Sequence, residues 1–343
     1  MRRWMIVLAA LGCERPASPP PSAAPKQGSQ RRFAVRAADT SWVRALDGAD
    51  DAPTASSLAA DESSLYVTDV GSKTVLAFDQ RTGVPRWRTH GGDDSSAVRE
   101  PHAVTSGRTG GIIVYDAARG TLLRVGPDGR VRRSTPAATA GDAQSICELP
   151  DSSVLVSIAA SSRGLVRIAP NGTVLSVTPL PWPGLRASGD LLSAVLLAPT
   201  PRGCIAALSF GLGFAEFEGS AFRPAVRFVE PLALPRVVVT RTEHDGGVTV
   251  SQSLAEHVLG AIDVGATDAA RLVAFDGRSA DRAHVVDVYD SLGAYRYSIR
   301  TRTRVEALAA TSRALFVLTH RDGRPTIVAL RWSARDTTRV GAR

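Results

Sequence analysis

Ser64-Leu-Tyr-Val-Thr-Asp69, Thr74-Val-Leu-Ala-Phe-Asp79 and Pro85-Arg-Trp-Arg-Thr-His90 follow the run Ser56-Ser-Leu-Ala-Ala-Asp61 with little but turn residues between them. Each run is short and enriched in β-branched or aromatic residues, the composition of strands on a pleated, half-buried surface. Residues 57–90 therefore read as a four-stranded antiparallel meander. The same order returns downstream. From His102 it runs through Gly111 to Asp116, Thr121 to Val125 and a Pro127-Asp128-Gly129 turn; from Gln144 it runs through Val154 to Ile158 and a Pro170-Asn171-Gly172 turn. Asp-Gly and Asn-Gly suit tight hairpins because they tolerate positive φ.

Less regular units follow from Leu192, from Leu259 and from Val305. The equivalent third-strand residues Phe78, Val125, Ile168, Phe217, Tyr289 and Leu330 recur mostly every 40 to 50 residues, roughly the period of propeller blades. One gap is longer, so Pro231 to Glu256 is predicted to be an insertion with its own hairpin, too short for a seventh four-stranded unit. The last unit lacks a fourth strand, and Phe33 to Leu46 holds strand-like runs that could supply it. Radial packing of the units covers both faces of each sheet, and a shared strand closes the ring. The expected fold is thus all-β: a six-bladed β-propeller of four-stranded antiparallel blades, closed by an N-terminal strand and spanning residues 33–335.

The 343 residues carry a net charge of +8, with 44% hydrophobic and 22% charged residues, the balance of a globular chain. Lysine occurs only at Lys26 and Lys73, and the arginines are scattered among acids rather than clustered with aromatics, which argues against a nucleic-acid partner. Residues 1–13 order Arg2-Arg3, an apolar run from Trp4 to Leu11 and Gly12-Cys13, as an export signal does. Ala10-Leu11-Gly12-Cys13 resembles the bacterial lipobox, although Ala10 and Leu11 stand where that pattern prefers an aliphatic and then a small residue. The resemblance implies lipidation at Cys13, with the Pro- and Ser-rich residues 14–32 as a tether and the anchor as the sole membrane attachment. Residues 336–343 read as a polar tail. Cys147 and Cys204, in apolar strand surroundings, read as buried free thiols, although export permits a disulfide.

The repeat, best carried by Leu65-Tyr66-Val67-Thr68-Asp69 and Val75 to Gly83, resembles the six-bladed propellers of the NHL and related bacterial families. That resemblance implies ligands at the channel mouth, on the face made by second-to-third-strand loops and blade-to-blade connections. Residues placed there are Asp69, His102, Asp116, Arg163, Arg282 and Arg321; the three arginines could attract an anionic or sugar-acid ligand. Against this stand a turn-capping role for Asp69 and Asp116, solvation for the arginines and packing for His102. No G-x-S-x-G, P-loop, H-E-x-x-H or paired C-x-x-C motif occurs, and Asn171-Gly172-Thr173 reads as a hairpin rather than a glycosylation site. No catalytic residue, cofactor or metal ligand is predicted. The expected role is a ligand- or protein-binding module, lipid-anchored in the bacterial cell envelope, with an unknown small molecule or protein as partner. The alternative is a lactonase-like hydrolase or lyase with Ca or Zn at the channel mouth.

Overall fold

The computed structural model describes residues 30–34, 39–46, 55–94, 96–137, 143–158, 164–182, 185, 194–244, 247–255, 260–275 and 283–332. Its strands form six radially arranged sheets. Blade 1 is β2 (Ala55–Ala60), β3 (Ser64–Asp69), β4 (Thr74–Asp79) and β5 (Pro85–Arg88). Blade 2 is β6 (Pro101–Ser106), β7 (Ile112–Asp116), β8 (Thr121–Val125) and β9 (Val131–Pro136); blade 3 is β10 (Ala143–Glu148), β11 (Val154–Ile158), β12 (Leu165–Ile168) and β13 (Val174–Thr178). Blade 4 is β14 (Val195–Thr200), β15 (Gly203–Leu208) and β16 (Gly213–Glu218), with an outer edge broken into β17 (Ala221–Phe222) and β18 (Val226–Arg227). Blade 5 is β21 (Asp263–Ala266), β22 (Ala270–Ala274), β23 (Val285–Asp290) and β24 (Tyr295–Arg300). Blade 6 is β25 (Ala307–Ala310), β26 (Ala314–Arg321), β27 (Arg324–Arg331) and, from the other end of the chain, β1 (Thr40–Ala45).

β1 pairs antiparallel with β27, Val43 opposite Val328 and Ala45 opposite Thr326, so the expected shared strand closes the ring. Only the second half of the Phe33–Leu46 segment serves this purpose. Phe33 itself bridges Ser298 in parallel, on the outer edge of blade 5. The insertion between blades 4 and 5 is a two-stranded hairpin, β19 (Val237–His244) with β20 (Gly247–Leu254).

Burial follows position in the blade. Second strands lie between neighbouring blades on both faces, so β3, β7, β15 and β22 are buried throughout and read as continuous apolar runs rather than alternating ones. Outer strands such as β5 and β13 are largely exposed. The core is accordingly a set of seams between adjacent blades. Leu46, Leu58, Leu65 and Phe78 meet Phe316, Leu318 and Ile327 where blade 1 joins blade 6; Phe214 and Phe228 meet Phe275 and Tyr289 where blade 4 joins blade 5. Turn glycines seal the outer rim. Gly83 and Gly129 adopt φ of 70° and 80°, and a Cβ on either would meet the ring of Trp42 or Trp87, on the outer strand of the preceding blade, at 2.8 and 2.9 Å.

The free-thiol expectation fails. Cys147 on β10 and Cys204 on β15 form a disulfide, with Cα atoms 6.3 Å apart, linking blade 3 to blade 4 within their shared seam. The reason is tertiary: strand pattern shows that both side chains are buried, but only blade packing turns them toward each other. The bond joins residues 57 apart in sequence, and chain-entropy arguments give such a closure about 4 kcal/mol. Cys204→Ser, or reduction of the native chain, is expected to lower unfolding free energy by about that amount in guanidinium titrations. Identical midpoints with and without reductant would show the two thiols unbonded.

Candidate functional site

First strands enter the blades at one end of the ring, where the β3–β4 and β7–β8 hairpins and the blade-to-blade connections also lie. Inner strands of successive blades pack side by side, and β25 packs on β2, so these strand starts surround the mouth of the central channel. In blades 1, 2 and 3 each first strand carries a register shift at the same place, between Ala55 and Ser57, Pro101 and Ala103, and Ala143 and Ser145. The extra residues are Ser56, His102 and Gln144, all exposed. A bulge leaves its residue outside the ladder and re-aims the side chain. Three adjacent blades thus present a hydroxyl, an imidazole and an amide at one level of the mouth, and Ser56 Oγ lies 3.4 Å from the His102 carbonyl oxygen. Pairing in the first strands of blades 4, 5 and 6 has no such shift.

The neighbourhood is polar and ionisable. His102 Nε2 stands 3.8 Å from Glu100, and His320 Nδ1 bonds Glu306 at 2.6 Å on the same end of blade 6. Lys73, Arg88 and His90 line an open depression beside blade 1. Among the described residues, no three His, Cys, Asp or Glu side chains are grouped as a metal centre.

One position beyond the bulge, the first strand stitches to its neighbour. Ser145 Oγ accepts the Leu197 N–H at 2.9 Å, and Asp263, the equivalent residue of blade 5, accepts the Leu308 N–H at 2.6 Å and its neighbour's Val264 N–H at 2.8 Å. Inner-edge N–H groups have no strand partner, so these side chains satisfy donors the fold would otherwise strand. For Asp263 burial outweighs both bonds and raises its carboxyl to about 7.

The sequence candidates divide. Asp69 is buried and accepts the Ser72 hydroxyl at 2.6 Å, closing its hairpin. Asp116, also buried, accepts the backbone N–H of Arg99 at 2.9 Å and of Glu100 at 3.2 Å, which orients the connection leading to His102. His102 is at the mouth. Arg321 ends β26 and is half-buried at a hairpin with Asp322 at φ 51°. Arg163, Arg282 and Cys13 lie outside the described residues. Sequence reasoning missed Ser56, Gln144, Asp263 and the Glu306–His320 pair. Alignment of the first-strand starts across units was the available signal, but a bulge leaves no mark in strand pattern.

No protein-family model and no curated protein matches the chain. Solved structures do match in fold. A Bacteroides fragilis protein named for export aligns with TM-score 0.57 at 10% identity, over 87% of this chain and 97% of that one. RRP9 WD40 repeats align with TM-score 0.53 at 10% identity, over 86% and 99%, and Kuenenia stuttgartiensis hydrazine synthase with 0.51 at 12%, over 84% and 99%. Names so different at such identities establish architecture alone.

Asp263 yields a pH test. Its pKa in the fold lies above the ordinary 3.8, so unfolding releases a proton between these values; its stabilising share is full below about pH 4 and is lost as pH rises toward 7. Asp263→Asn is expected to flatten the decline of Tm with pH over that window. An unchanged slope would assign the decline to other groups.

Proposed function

We propose that this chain is an exported, lipid-anchored propeller that serves as a ligand-binding module in the cell envelope, with the channel mouth of blades 1 to 3 as its binding face. The observation that carries the reading is the threefold bulge, which sets Ser56, His102 and Gln144 outside the ladders at one level. Bulges commonly re-aim side chains beside sites, and here the three re-aimed residues come from the first strands of adjacent blades at one mouth. Lys73 and Arg88, in the depression beside blade 1, favour an anionic small molecule, since charge-assisted donors suit carboxylates.

Export is supported by three things: the charged, apolar and small-residue order of residues 1–13, the Cys147–Cys204 disulfide, which oxidising compartments preserve, and the name of the Bacteroides fragilis structural neighbour. The anchor is proposed at Cys13 because Ala10-Leu11-Gly12-Cys13 resembles the lipobox, and multiple acyl chains there would hold where one does so only marginally. Cys13→Ala is expected to move the protein from the membrane to the soluble fraction, and an unchanged distribution would remove the anchor.

Galacturonate and citrate serve as probes of the mouth. Either is expected to raise Tm saturably in the native protein, and the double variant His102→Ala/Gln144→Ala is expected to abolish the rise. No shift with both probes overturns the anionic reading. Stoichiometric Ca or Zn in purified protein, lost together with stability on chelation, would replace it with the metal-dependent hydrolase or lyase.

A further inference from the structure

A group of basic side chains lies at the seam between blades 5 and 6, away from the mouth of blades 1 to 3. Arg300 ends β24, Arg302 follows in the connection to β25, and Arg321 ends β26. All three border one pocket with Thr301 and Thr303, and Val317, Val328 and Leu330 form its apolar wall. No carboxylate is among the residues that line it. Elsewhere in the ring guanidinium groups meet acids, as Arg86 meets Asp79 at 2.6 Å, Arg296 meets Asp290 at 2.7 Å and Arg31 meets the buried Asp287 at 2.9 Å.

Two features set Arg321 apart from a solvated loop arginine. Its Nε is inaccessible to solvent and has no hydrogen-bond partner among the described residues. A buried donor in that position has given up its hydration without return. The Asp322-Gly323 turn, with φ of 51° and 73°, also sets Arg321 directly opposite Arg324, and like charges so placed repel. The acids nearest in sequence stand apart from the pocket: Glu306 bonds the His320 ring at 2.6 Å, and Asp322 is exposed at the turn. Backbone bonds fix the opposite rim. The Thr301 N–H donates to the His284 carbonyl at 2.8 Å and the Thr301 hydroxyl to the Thr303 carbonyl at 2.7 Å, while the Arg300 guanidinium lies over the Phe33 ring, 4.6 Å from its centroid.

We propose that this pocket binds a phosphoryl dianion, either phosphate itself or the terminal group of a small phosphomonoester. Arg321, whose Nε is buried, is the inner contact; Arg302 and Arg300, both exposed, supply charge at the rim. Guanidinium planes suit carboxylates and phosphates alike. Three of them bordering one pocket favour a dianion with three terminal oxygens over a monoanion with two, and the apolar wall leaves the attraction poorly screened. The bound anion would accept from the Arg321 donor and offset its repulsion from Arg324. The site is separate from the mouth of blades 1 to 3 and takes a different anion.

The test titrates the native full chain with inorganic phosphate, glycerol 3-phosphate and acetate at constant ionic strength and about pH 8, where phosphate esters are dianionic. Both phosphates are expected to bind saturably and to raise Tm, with acetate about tenfold weaker or more. Tighter binding of the ester identifies a phosphomonoester as the ligand, and equal binding identifies phosphate. Arg321→Lys keeps the charge but removes the fork, and is expected to weaken phosphate about tenfold. Saturating galacturonate is expected to leave phosphate affinity unchanged, because the mouth is a separate site. The proposal is overturned by the absence of saturable phosphate binding, by acetate binding as tightly, by equal affinity of Arg321→Lys and the native chain, or by displacement of phosphate with galacturonate. Should Arg321→Lys fail to fold, Arg302→Ala, at an exposed position, takes its place with the same expected weakening.

Discussion

Pairing of β1 with β27 is the constraint on which the rest depends. Each blade has two apolar faces, and neither can be buried by the blade itself. A closed ring gives every face a neighbour, whereas an open one would leave Leu58, Leu65 and Phe78 of blade 1, and Phe316 and Ile327 of blade 6, facing water. Closure also removes the free edge that β27 would otherwise offer to other chains. The strand that does this comes from the far end of the sequence, so blade 6 is completed only when the two ends of the fold have been brought together.

Once the ring is closed, several arginines tie one blade to the next. Arg124 of blade 2 meets the buried Glu148 of blade 3 at 2.6 Å. Arg108 reaches past that same glutamate to the carbonyls of Thr200 and Gly203 in blade 4, at 2.6 and 3.1 Å. Arg271 of blade 5 pairs with Glu216 of blade 4 where both are nearly inaccessible. Guanidinium forks bridge such gaps because several donors leave one rigid plane, so one side chain can satisfy acids and carbonyls from two strands.

Repetition makes the departures from it informative. Six units share one plan, yet among the described residues only blades 1 to 3 carry the first-strand bulge, and the outer edge of blade 5 carries a single bridge to Phe33. Ser145 and Asp263 occupy equivalent positions and make equivalent bonds, one with a neutral hydroxyl and the other with a carboxyl that burial holds near neutrality. The same backbone demand is therefore met once without and once with a pH dependence.

Local chemistry made the blades legible from sequence. Leu65 to Asp69 and Val75 to Asp79 have strand composition, and Gly129 and Gly172 sit where a hairpin needs positive φ; these are properties of neighbouring residues, and neighbouring residues report them. The count of blades and the closing strand followed because a lone meander cannot cover its faces. What the sequence could not disclose depends on which residues face one another across a seam. Cys147 and Cys204 looked like separate buried thiols until two blades were packed, whereas Asp69 and Asp116, read foremost as turn caps, do accept hydrogen bonds from their own turn and connection. Ser56 and Gln144 acquire meaning only from a one-residue slip in register, and Arg31 only from meeting Asp287 some 250 residues away. Strand pattern, with its period of two, encodes inside and outside; it does not encode slips of register or the packing of one sheet against the next, and these decide the channel-mouth residues and the disulfide.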